Sequence, residues 1–255
     1  MENIARLTRR LREGHIENAD IQARLLCEAF VGEALDAALE RVLSHEPIQY
    51  VLGEWGFYKE VYEVNESCLI PRPDTEHLVE KAIQMLPNGA RFLDLCTGSG
   101  CVAISTLATR RDTNAVAIDL FEDTLRLASR NAVRNGVTER VAFLRADVLD
   151  LPPNLGEFDA ILSNPPYINA KDMQKLSPEV KREPRAALFG GEDGLCFYRA
   201  ILQNWKKLLK PNGILLFEIG YDQAEALRAL ATEHGFCATV IKDYGGNDRV
   251  VILQK

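Results

Sequence analysis

Apolar residues recur at helical spacing through the first 46 residues of the chain. Ile4, Leu7 and Leu11 fall on one side of a helix. The same spacing returns in two further groups: Ile21, Leu25, Leu26 and Ala29, and then Leu35, Leu39, Val42 and Leu43. Because glycines interrupt these runs, the pattern predicts two or three short helices that form a small helical domain over residues 1–46.

The pattern changes to β-branched and aromatic residues after Pro47: Tyr50, Val51, Trp55, Phe57, Tyr58, Val61, Tyr62 and Val64. These residues predict a β-hairpin, and we expect residues 47–68 to link two larger units. Prolines at positions 71 and 73 then keep the chain extended. Asp74 or Thr75 can cap the helix that follows, whose inner face carries Leu78, Val79, Ala82 and Ile83.

Beyond residue 90, short apolar runs alternate with helical ones. Strands are predicted at residues 91–95, 115–118, 141–144, 160–163, 214–218, 238–241 and 250–253. Helices are predicted at residues 102–109, 125–135, 198–209 and 223–234. This alternation predicts a mostly parallel sheet covered on both faces. Only turn-forming residues, 243–248, join the last two strands, so that pair should be antiparallel. We therefore expect an α/β fold over residues 69–255, with the Rossmann-like seven-stranded sheet and antiparallel last strand that are typical of methyltransferases.

The composition narrows the possible partners. The net charge is −7, from 37 acidic and 30 basic side chains, which argues against tight binding to a polyphosphate backbone. We therefore expect no stable nucleic-acid partner. The six cysteines form no C-x-x-C pair, so we expect free thiols and no metal site. No signal segment is visible, and no run approaches the about 20 apolar residues that span a bilayer. These features predict a cytoplasmic protein without a membrane partner.

A glycine-rich turn follows the first strand of the predicted sheet. It runs through Asp94, Cys96, Thr97, Gly98, Ser99 and Gly100. In doubly wound sheets, ligands bind beside this first turn. Its D-x-x-x-G-x-G spacing differs from the G-x-G-x-x-G of a pyrophosphate cradle, which favours S-adenosylmethionine as the cofactor. A turn of this kind can also be purely structural.

Two acids end the next strands. Asp119 lies 19 residues after Gly100, where a carboxylate can accept hydrogen bonds from both ribose hydroxyls. Asp147 can accept from an adenine amino group, and Val148 can cover the adenine ring. The alternatives are that Asp119 only caps a helix and that Asp147 is an ordinary loop acid.

The most specific local signal is the run Asn164, Pro165, Pro166 and Tyr167 at the end of the fourth strand. The prolines stiffen the loop. The Asn164 side-chain oxygen and the Pro165 carbonyl can then accept both hydrogens of an –NH₂ group, which aims the nitrogen lone pair at a methyl carbon. Tyr167 can stack on a planar acceptor. We therefore assign catalysis to Asn164, Pro165 and Tyr167 and substrate binding to all four residues, against the alternative of a rigid turn without function.

Together these motifs resemble the HemK-like protein-(glutamine-N5) methyltransferases, which modify class I peptide chain release factors. The resemblance runs from about Pro47 to the C-terminus and is most specific at residues 70–76 and 243–249. It implies transfer of a methyl group from S-adenosylmethionine to the glutamine of a Gly-Gly-Gln loop. It also implies cofactor contacts at residues 96–100, Asp119, Val148 and Asn164, with residues 71–73 over the cofactor pocket.

Two features depart from this family. Cys96 stands where many methyltransferases carry glycine, and the N-terminal helical part, which is thought to grip the release factor, is short. The Asn-Pro-Pro-Tyr motif is also shared with enzymes that methylate adenine N6 or guanine N2 in DNA or RNA. The nearest candidate for a basic recognition region is residues 171–185, although a solvated loop and helix also explains its charges. A non-catalytic binding module with the same fold is the third hypothesis.

Overall fold

A computed structural model describes residues 2–255, and its first unit is helical. Three helices, α1 (Glu2–Glu13), α2 (Ala19–Ala29) and α3 (Glu33–Leu43), pack around their own apolar core. Leu7, Leu11, Leu26 and Leu39 are fully buried there. The helices predicted for residues 1–46 are confirmed, except that Met1 lies outside the described residues.

The segment after Pro47 differs from its prediction. Residues Ile48–Leu52 form a short helix, α4, where the sequence indicated β structure, and the hairpin is confined to β1 (Glu54–Phe57) and β2 (Glu60–Glu63). Tertiary packing explains why this segment is helical. Tyr50 and Val51 are buried, and the Tyr50 hydroxyl donates to the Cys68 carbonyl at 2.5 Å. Burial of this kind overrides β propensity.

The remaining strands form one seven-stranded sheet in the order β5-β4-β3-β6-β7-β9-β8. They are β3 (Arg91–Leu95), β4 (Asn114–Asp119), β5 (Val141–Arg145), β6 (Phe158–Ser163), β7 (Leu209–Glu218), β8 (Cys237–Lys242) and β9 (Asp248–Gln254). Only β9 runs against its neighbours, so the predicted sheet with an antiparallel last strand is confirmed. Strands β4 and β5 extend the sheet on one side of β3, and β6 and β7 extend it on the other side. Ligands bind in the crevice where the strand order reverses in this way, which lies here beside β3.

Helices cover both faces of this sheet. They are α5 (Glu76–Met85), α6 (Cys101–Thr109), α7 (Glu122–Arg134), α8 (Arg185–Leu188), α9 (Cys196–Ala200) and α10 (Ala224–Glu233). Each face has a separate apolar core. None of the helices within residues 2–255 is long and apolar enough to cross a membrane.

The helix predicted at residues 198–209 is less regular than expected. It begins as α9, continues as a π-helical turn (Ile201–Trp205) and a 3₁₀ turn (Lys206–Leu208), and Leu209 already belongs to β7. The Trp205 ring is fully buried and its Nε1 donates to the Val148 carbonyl at 2.8 Å. This contact connects the irregular helix to the segment that follows β5.

A fully buried asparagine joins the hairpin to the sheet. The Asn131 side chain in α7 accepts from the Glu63 N–H at 2.7 Å and donates to the Ser99 carbonyl at 2.9 Å. It therefore connects β2 to the glycine-rich turn, although the two are 36 positions apart in sequence. No sequence pattern marked this residue.

We expect Asn131→Ala to destabilise the protein by about 2–4 kcal/mol, because it leaves buried backbone groups of Glu63 and Ser99 unpaired. Urea unfolding measures this change. Asn135→Ala is a matched control, since Asn135 lies at the end of the same helix and donates to the Val61 carbonyl at a solvent-exposed position. Equal losses in the two variants would contradict the role assigned to Asn131.

Candidate active site

Four parallel strands end at the same level and form one edge of the sheet. Leu95 of β3 is aligned with Ile118 of β4 and with Ser163 of β6, and Ser163 is aligned with Phe217 of β7. The next residues of these strands are therefore neighbours: Cys96, Asp119, Asn164 and Glu218. Adjacent strands lie about 4.8 Å apart, so the register brings together side chains from four distant parts of the chain.

A cavity of about 600 Å³ opens at this edge. This is within the range of small-molecule sites. Nine of the predicted site residues line it: Cys96, Thr97, Gly98, Ser99, Asp119, Asp147, Val148, Asn164 and Pro166. Asp94, Gly100, Pro165 and Tyr167 are not among the residues that line it.

The glycine-rich turn is held in an unusual conformation. Cys96 has a φ of 60°, Gly98 of 55° and Gly100 of 84°. Glycine suits position 100, because a φ of 84° is one that residues with a side chain rarely adopt. At Cys96 a non-glycine residue occupies the left-handed region, which costs roughly 1–2 kcal/mol. Cysteine in place of glycine at position 96 therefore keeps the shape of the turn but strains the backbone of that residue.

Asp119 has two roles. Its Oδ2 accepts from the Gly98 N–H at 3.0 Å, and its Oδ1 accepts from the Phe121 N–H at 3.2 Å. Each oxygen keeps a further acceptor position, since a carboxylate can accept about four hydrogen bonds. Burial raises the pKa of Asp119, although these backbone donors oppose the effect. The residue holds the glycine-rich turn and still offers two acceptors to a ligand.

Asp147 and Val148 lie at the far end of the cavity. Asp147 Oδ1 accepts from the Leu149 N–H at 2.9 Å, as an ordinary loop acid does. Val148 is buried, and its carbonyl accepts from Trp205. Both residues line the cavity, so an adenine-binding role remains a prediction that is compatible with their positions.

The Asn164 amide faces the cavity in a defined way. Its Nδ2 donates to the Thr75 Oγ1 at 3.1 Å. Thr75 was expected as a possible helix cap, but its side chain makes no capping hydrogen bond to α5. The hydroxyl instead contacts Asn164, 89 positions away. This contact uses the amide nitrogen and leaves the amide oxygen for another donor.

Tyr167 does not line the cavity. Its hydroxyl donates to Glu218 Oε1 at 3.3 Å. Burial raises the pKa of Tyr167 above its ordinary value. The Gln223 Nε2 donates to the Tyr167 carbonyl at 3.1 Å, so both ends of this residue are held. Stacking of the Tyr167 ring on an acceptor therefore remains a prediction.

Glycines let a second loop approach the Asn-Pro-Pro-Tyr segment closely. A Cβ on Gly190 would lie 2.6 Å from the Pro166 carbonyl oxygen, and one on Gly194 would lie 2.3 Å from that of Tyr167. Hydrogen bonds also join Ile168 to this loop through the backbone of Leu188 and Gly190. The loop carries cavity residues that the sequence did not indicate: Ala186, Ala187, Phe189, Cys196 and Phe197.

The proline-rich segment lies against the cavity, as predicted. Pro71 and Arg72 are in its lining. The Arg72 guanidinium forms an ion pair with the buried Glu183, whose other oxygen accepts from the Ile70 N–H at 3.0 Å. Burial raises the pKa of Glu183, and Arg72 opposes that effect. The ion pair connects the proline-rich segment to the loop on the opposite wall.

The basic segment 171–185 contacts the rest of the protein. Arg182 donates to the Ser44 carbonyl at 2.8 Å, and Lys175 pairs with Asp172. His45 contacts Glu179 at 2.6 Å. One of its basic charges, that of Lys175, is therefore paired within the segment. No cluster of three or more metal-ligating side chains occurs among residues 2–255.

Comparison with known proteins gives consistent matches. A family model described as a methyltransferase domain matches residues 92–184. A release factor glutamine methyltransferase of Thermodesulfovibrio yellowstonii is 42% identical over 227 residues, which cover 87% of this chain and 81% of that protein. The protein of the same name from Nitratidesulfovibrio vulgaris is 40% identical and covers 84% of this chain and 75% of its own length.

Solved structures show the same fold. The structure of a methyltransferase from Pyrococcus furiosus matches with a TM-score of 0.60 at 19% identity, over 86% of this chain and 98% of that chain. At this identity the match concerns the architecture alone.

Asp94 should make the folded protein less stable as the pH rises. It is buried, and its Oδ2 accepts from the Thr97 hydroxyl and the Ala103 N–H. Burial raises its pKa to about 7. Between about pH 4 and 7 the folded chain therefore holds a proton that the unfolded chain has released, so this contribution to stability is lost as the pH rises through that window.

We expect Asp94→Asn to remove this loss, because an amide keeps one oxygen for both donors and carries no charge. Its stability relative to wild type should be greater at pH 8 than at pH 5 by roughly 2–4 kcal/mol. Urea unfolding at the two pH values measures the difference. The same relative stability at both would mean that Asp94 is ionised throughout.

Proposed function

The chain belongs to the release factor glutamine methyltransferases, and we propose that it methylates the side-chain amide nitrogen (N5) of the glutamine in the Gly-Gly-Gln motif of class I peptide chain release factors. The methyl donor in this proposal is S-adenosylmethionine. The observation that carries it is that Asp119 and Asn164 line the same cavity. In this proposal the Asp119 carboxylate accepts hydrogen bonds from the ribose, and the Asn164 side-chain oxygen accepts one from the substrate amide.

The residues of the cavity suit S-adenosylmethionine. Asp119 has two free acceptor positions for the ribose hydroxyls, and the open space beside Gly98 lets a ligand approach the backbone. Val148 offers an apolar surface for a ring. Bound there, the cofactor supplies a methyl group activated by a positively charged sulfur. The buried carboxylates around the cavity favour that charge.

Asn164 and Pro165 then orient the acceptor. The Asn164 Oδ1 accepts one N–H of the substrate amide, and the Pro165 carbonyl is the proposed acceptor of the other. Holding both hydrogens directs the nitrogen toward the methyl carbon and stabilises the positive charge that develops on it. No general base is needed for the attack, since the nitrogen becomes acidic only after methylation.

The parts of the chain have distinct tasks in this proposal. Residues 1–46 dock the release factor, residues 47–68 link, and residues 69–255 form the S-adenosylmethionine-dependent methyltransferase domain. We place the protein in the cytoplasm, where its six free cysteines stay reduced.

Methylation of an amino group in DNA or RNA is the second candidate, because the Asn-Pro-Pro-Tyr chemistry suits it. The net charge of −7 favours a protein substrate.

The experiment that tests this proposal is intact-mass analysis of a release factor incubated with the protein and S-adenosylmethionine, followed by peptide mapping. A gain of one methyl group on the Gly-Gly-Gln glutamine is expected. A release factor that stays unmodified, while cofactor binding is measured separately, would move the nucleic-acid hypothesis to first place.

We expect Asn164→Ala to lower methyl transfer by roughly 10²-fold or more, because a preorganised polar contact is lost. Single-turnover kinetics with a release factor measure this. Asn169→Ala is the matched control, since Asn169 lies in the same loop, its side chain hydrogen-bonds to Asp172 and it is not in the cavity lining. Near-normal turnover by Asn164→Ala would overturn the proposed mechanism.

We expect Asp119→Ala to raise the Kd of S-adenosylmethionine by about 10- to 100-fold, the effect of losing hydrogen bonds to a charged group. Calorimetric titration measures it. Asp123→Ala serves as control, because Asp123 lies at the start of α7 and contacts only the exposed Arg126. An unchanged Kd in Asp119→Ala would show that the ribose assignment is wrong.

A further inference from the structure

The orientation of the Asn164 amide needs an explanation beyond its contact with Thr75. An asparagine can present either its oxygen or its –NH₂ to a partner. A threonine hydroxyl both donates and accepts, so Thr75 alone accommodates either orientation. What fixes the amide is the group to which the Thr75 hydroxyl donates its own proton.

The candidate for this acceptor is the Glu218 carboxylate. Glu218 follows Phe217, which is aligned with Ser163, so the parallel register places it beside Asn164. The side chain is buried, and its Oε1 accepts from the Tyr167 hydroxyl at 3.3 Å. Its Oε2 has no partner of regular hydrogen-bond geometry among residues 2–255. A carboxylate can only accept, so the Tyr167 hydroxyl points its proton toward Oε1, and the buried Oε2 can accept a proton from a second hydroxyl.

We propose that Thr75 and Glu218 are positioning residues, which orient the Asn164 amide so that its oxygen faces the nitrogen to be methylated. Glu218 draws the proton of the Thr75 hydroxyl. The Thr75 oxygen then accepts from Asn164 Nδ2 at 3.1 Å. The remaining amide atom, Oδ1, is left for the substrate. This inference rests on the proposed function, because the substrate is an amide nitrogen with two hydrogens to donate.

The charges around Glu218 are consistent with this role. Arg249 of β9 favours the carboxylate form, and Asp74 opposes it. Tyr167 and Tyr198 complete the surroundings: the first donates to the side chain, and the second donates to the Glu218 carbonyl at 2.8 Å. Arg249 is itself held by Asp74 and Asp243. Burial raises the pKa of Glu218 to about 7. Its protonation state therefore changes near neutral pH.

Protonation of Glu218 would reverse the direction of the hydrogen bonds that join Glu218, Thr75 and Asn164 in this proposal. A neutral Glu218 can donate to Thr75, and Thr75 can then donate to the Asn164 oxygen. The amide nitrogen would turn toward the cavity and meet the hydrogens of the substrate amide. The N–H groups of Asn164 would then face the N–H groups of the substrate amide, and the hydrogen bond that holds the acceptor nitrogen would be lost.

The first test compares Thr75→Val with Thr75→Ser. Valine keeps the shape of threonine but lacks the hydroxyl, and serine keeps the hydroxyl. With a release factor that the wild-type protein methylates, we expect kcat of Thr75→Val to fall about 10- to 100-fold, with the Kd of S-adenosylmethionine within about twofold. Serine should recover most of the loss. Equal losses in both variants, or normal kcat in Thr75→Val, would overturn the proposal.

The second test is the pH profile of kcat. Wild-type activity should rise with pH through about 7, as Glu218 loses its proton. Glu218→Gln still offers an oxygen to Thr75 but does not titrate, so this rise should disappear. Asp94→Asn is the control, because Asp94 also has a pKa of about 7 yet does not line the cavity, and it should keep the rise. A rise that persists in Glu218→Gln would contradict the assignment.

These outcomes are separable from failure of the proposed function. A release factor left unmodified by the wild-type protein defeats the function itself, before any variant is compared. Methylation by the wild-type protein, followed by identical behaviour of all three Thr75 forms, defeats only the positioning role.

Discussion

The site depends on one constraint, the alignment of four parallel strands. Leu95 lies level with Ile118 and Ser163, and Ser163 lies level with Phe217. A shift of one residue in any of these pairings would turn every side chain of that strand to the other face of the sheet. The residues to which we assign cofactor and substrate binding lie at these strand ends or directly after them, so the register that builds the core also brings these residues together.

Buried polar groups around the cavity give it a fixed shape. Asp94 holds Thr97 and the start of α6, Asn131 joins the hairpin to the glycine-rich turn, and Glu183 joins the two walls. Such groups are costly to bury unless they are hydrogen-bonded. The protein accepts that cost where a backbone segment without regular structure must be held in place. Methyl transfer requires this rigidity, because the reacting atoms must be aligned before the reaction begins.

The carboxyl groups near the cavity are also held by hydrogen bonds. Asp119 lines the cavity, and Glu218 lies outside its lining and accepts from the Tyr167 hydroxyl. Both carboxyl pKa values are raised by burial, and backbone or hydroxyl donors oppose the effect. A cationic methyl donor and a nitrogen that becomes positive are both stabilised by such surroundings. The Arg249 side chain limits the cost, since it lies between Asp74 and Asp243 on the outer side of Glu218.

The sequence by itself determined the helices of the N-terminal unit, the seven strands and the residues of the glycine-rich and Asn-Pro-Pro-Tyr turns, because periodicity and turn chemistry act over a few residues. It also pointed to Asp119 and Asn164, which directly follow strands. Only the tertiary structure decided that Tyr50 is helical, that Asp94 and Tyr167 do not line the cavity, and that Thr75 contacts Asn164 from 89 positions away. Hydrogen-bond partners of this kind depend on which strand ends become neighbours, and that is settled by packing across the whole sheet rather than by any local pattern.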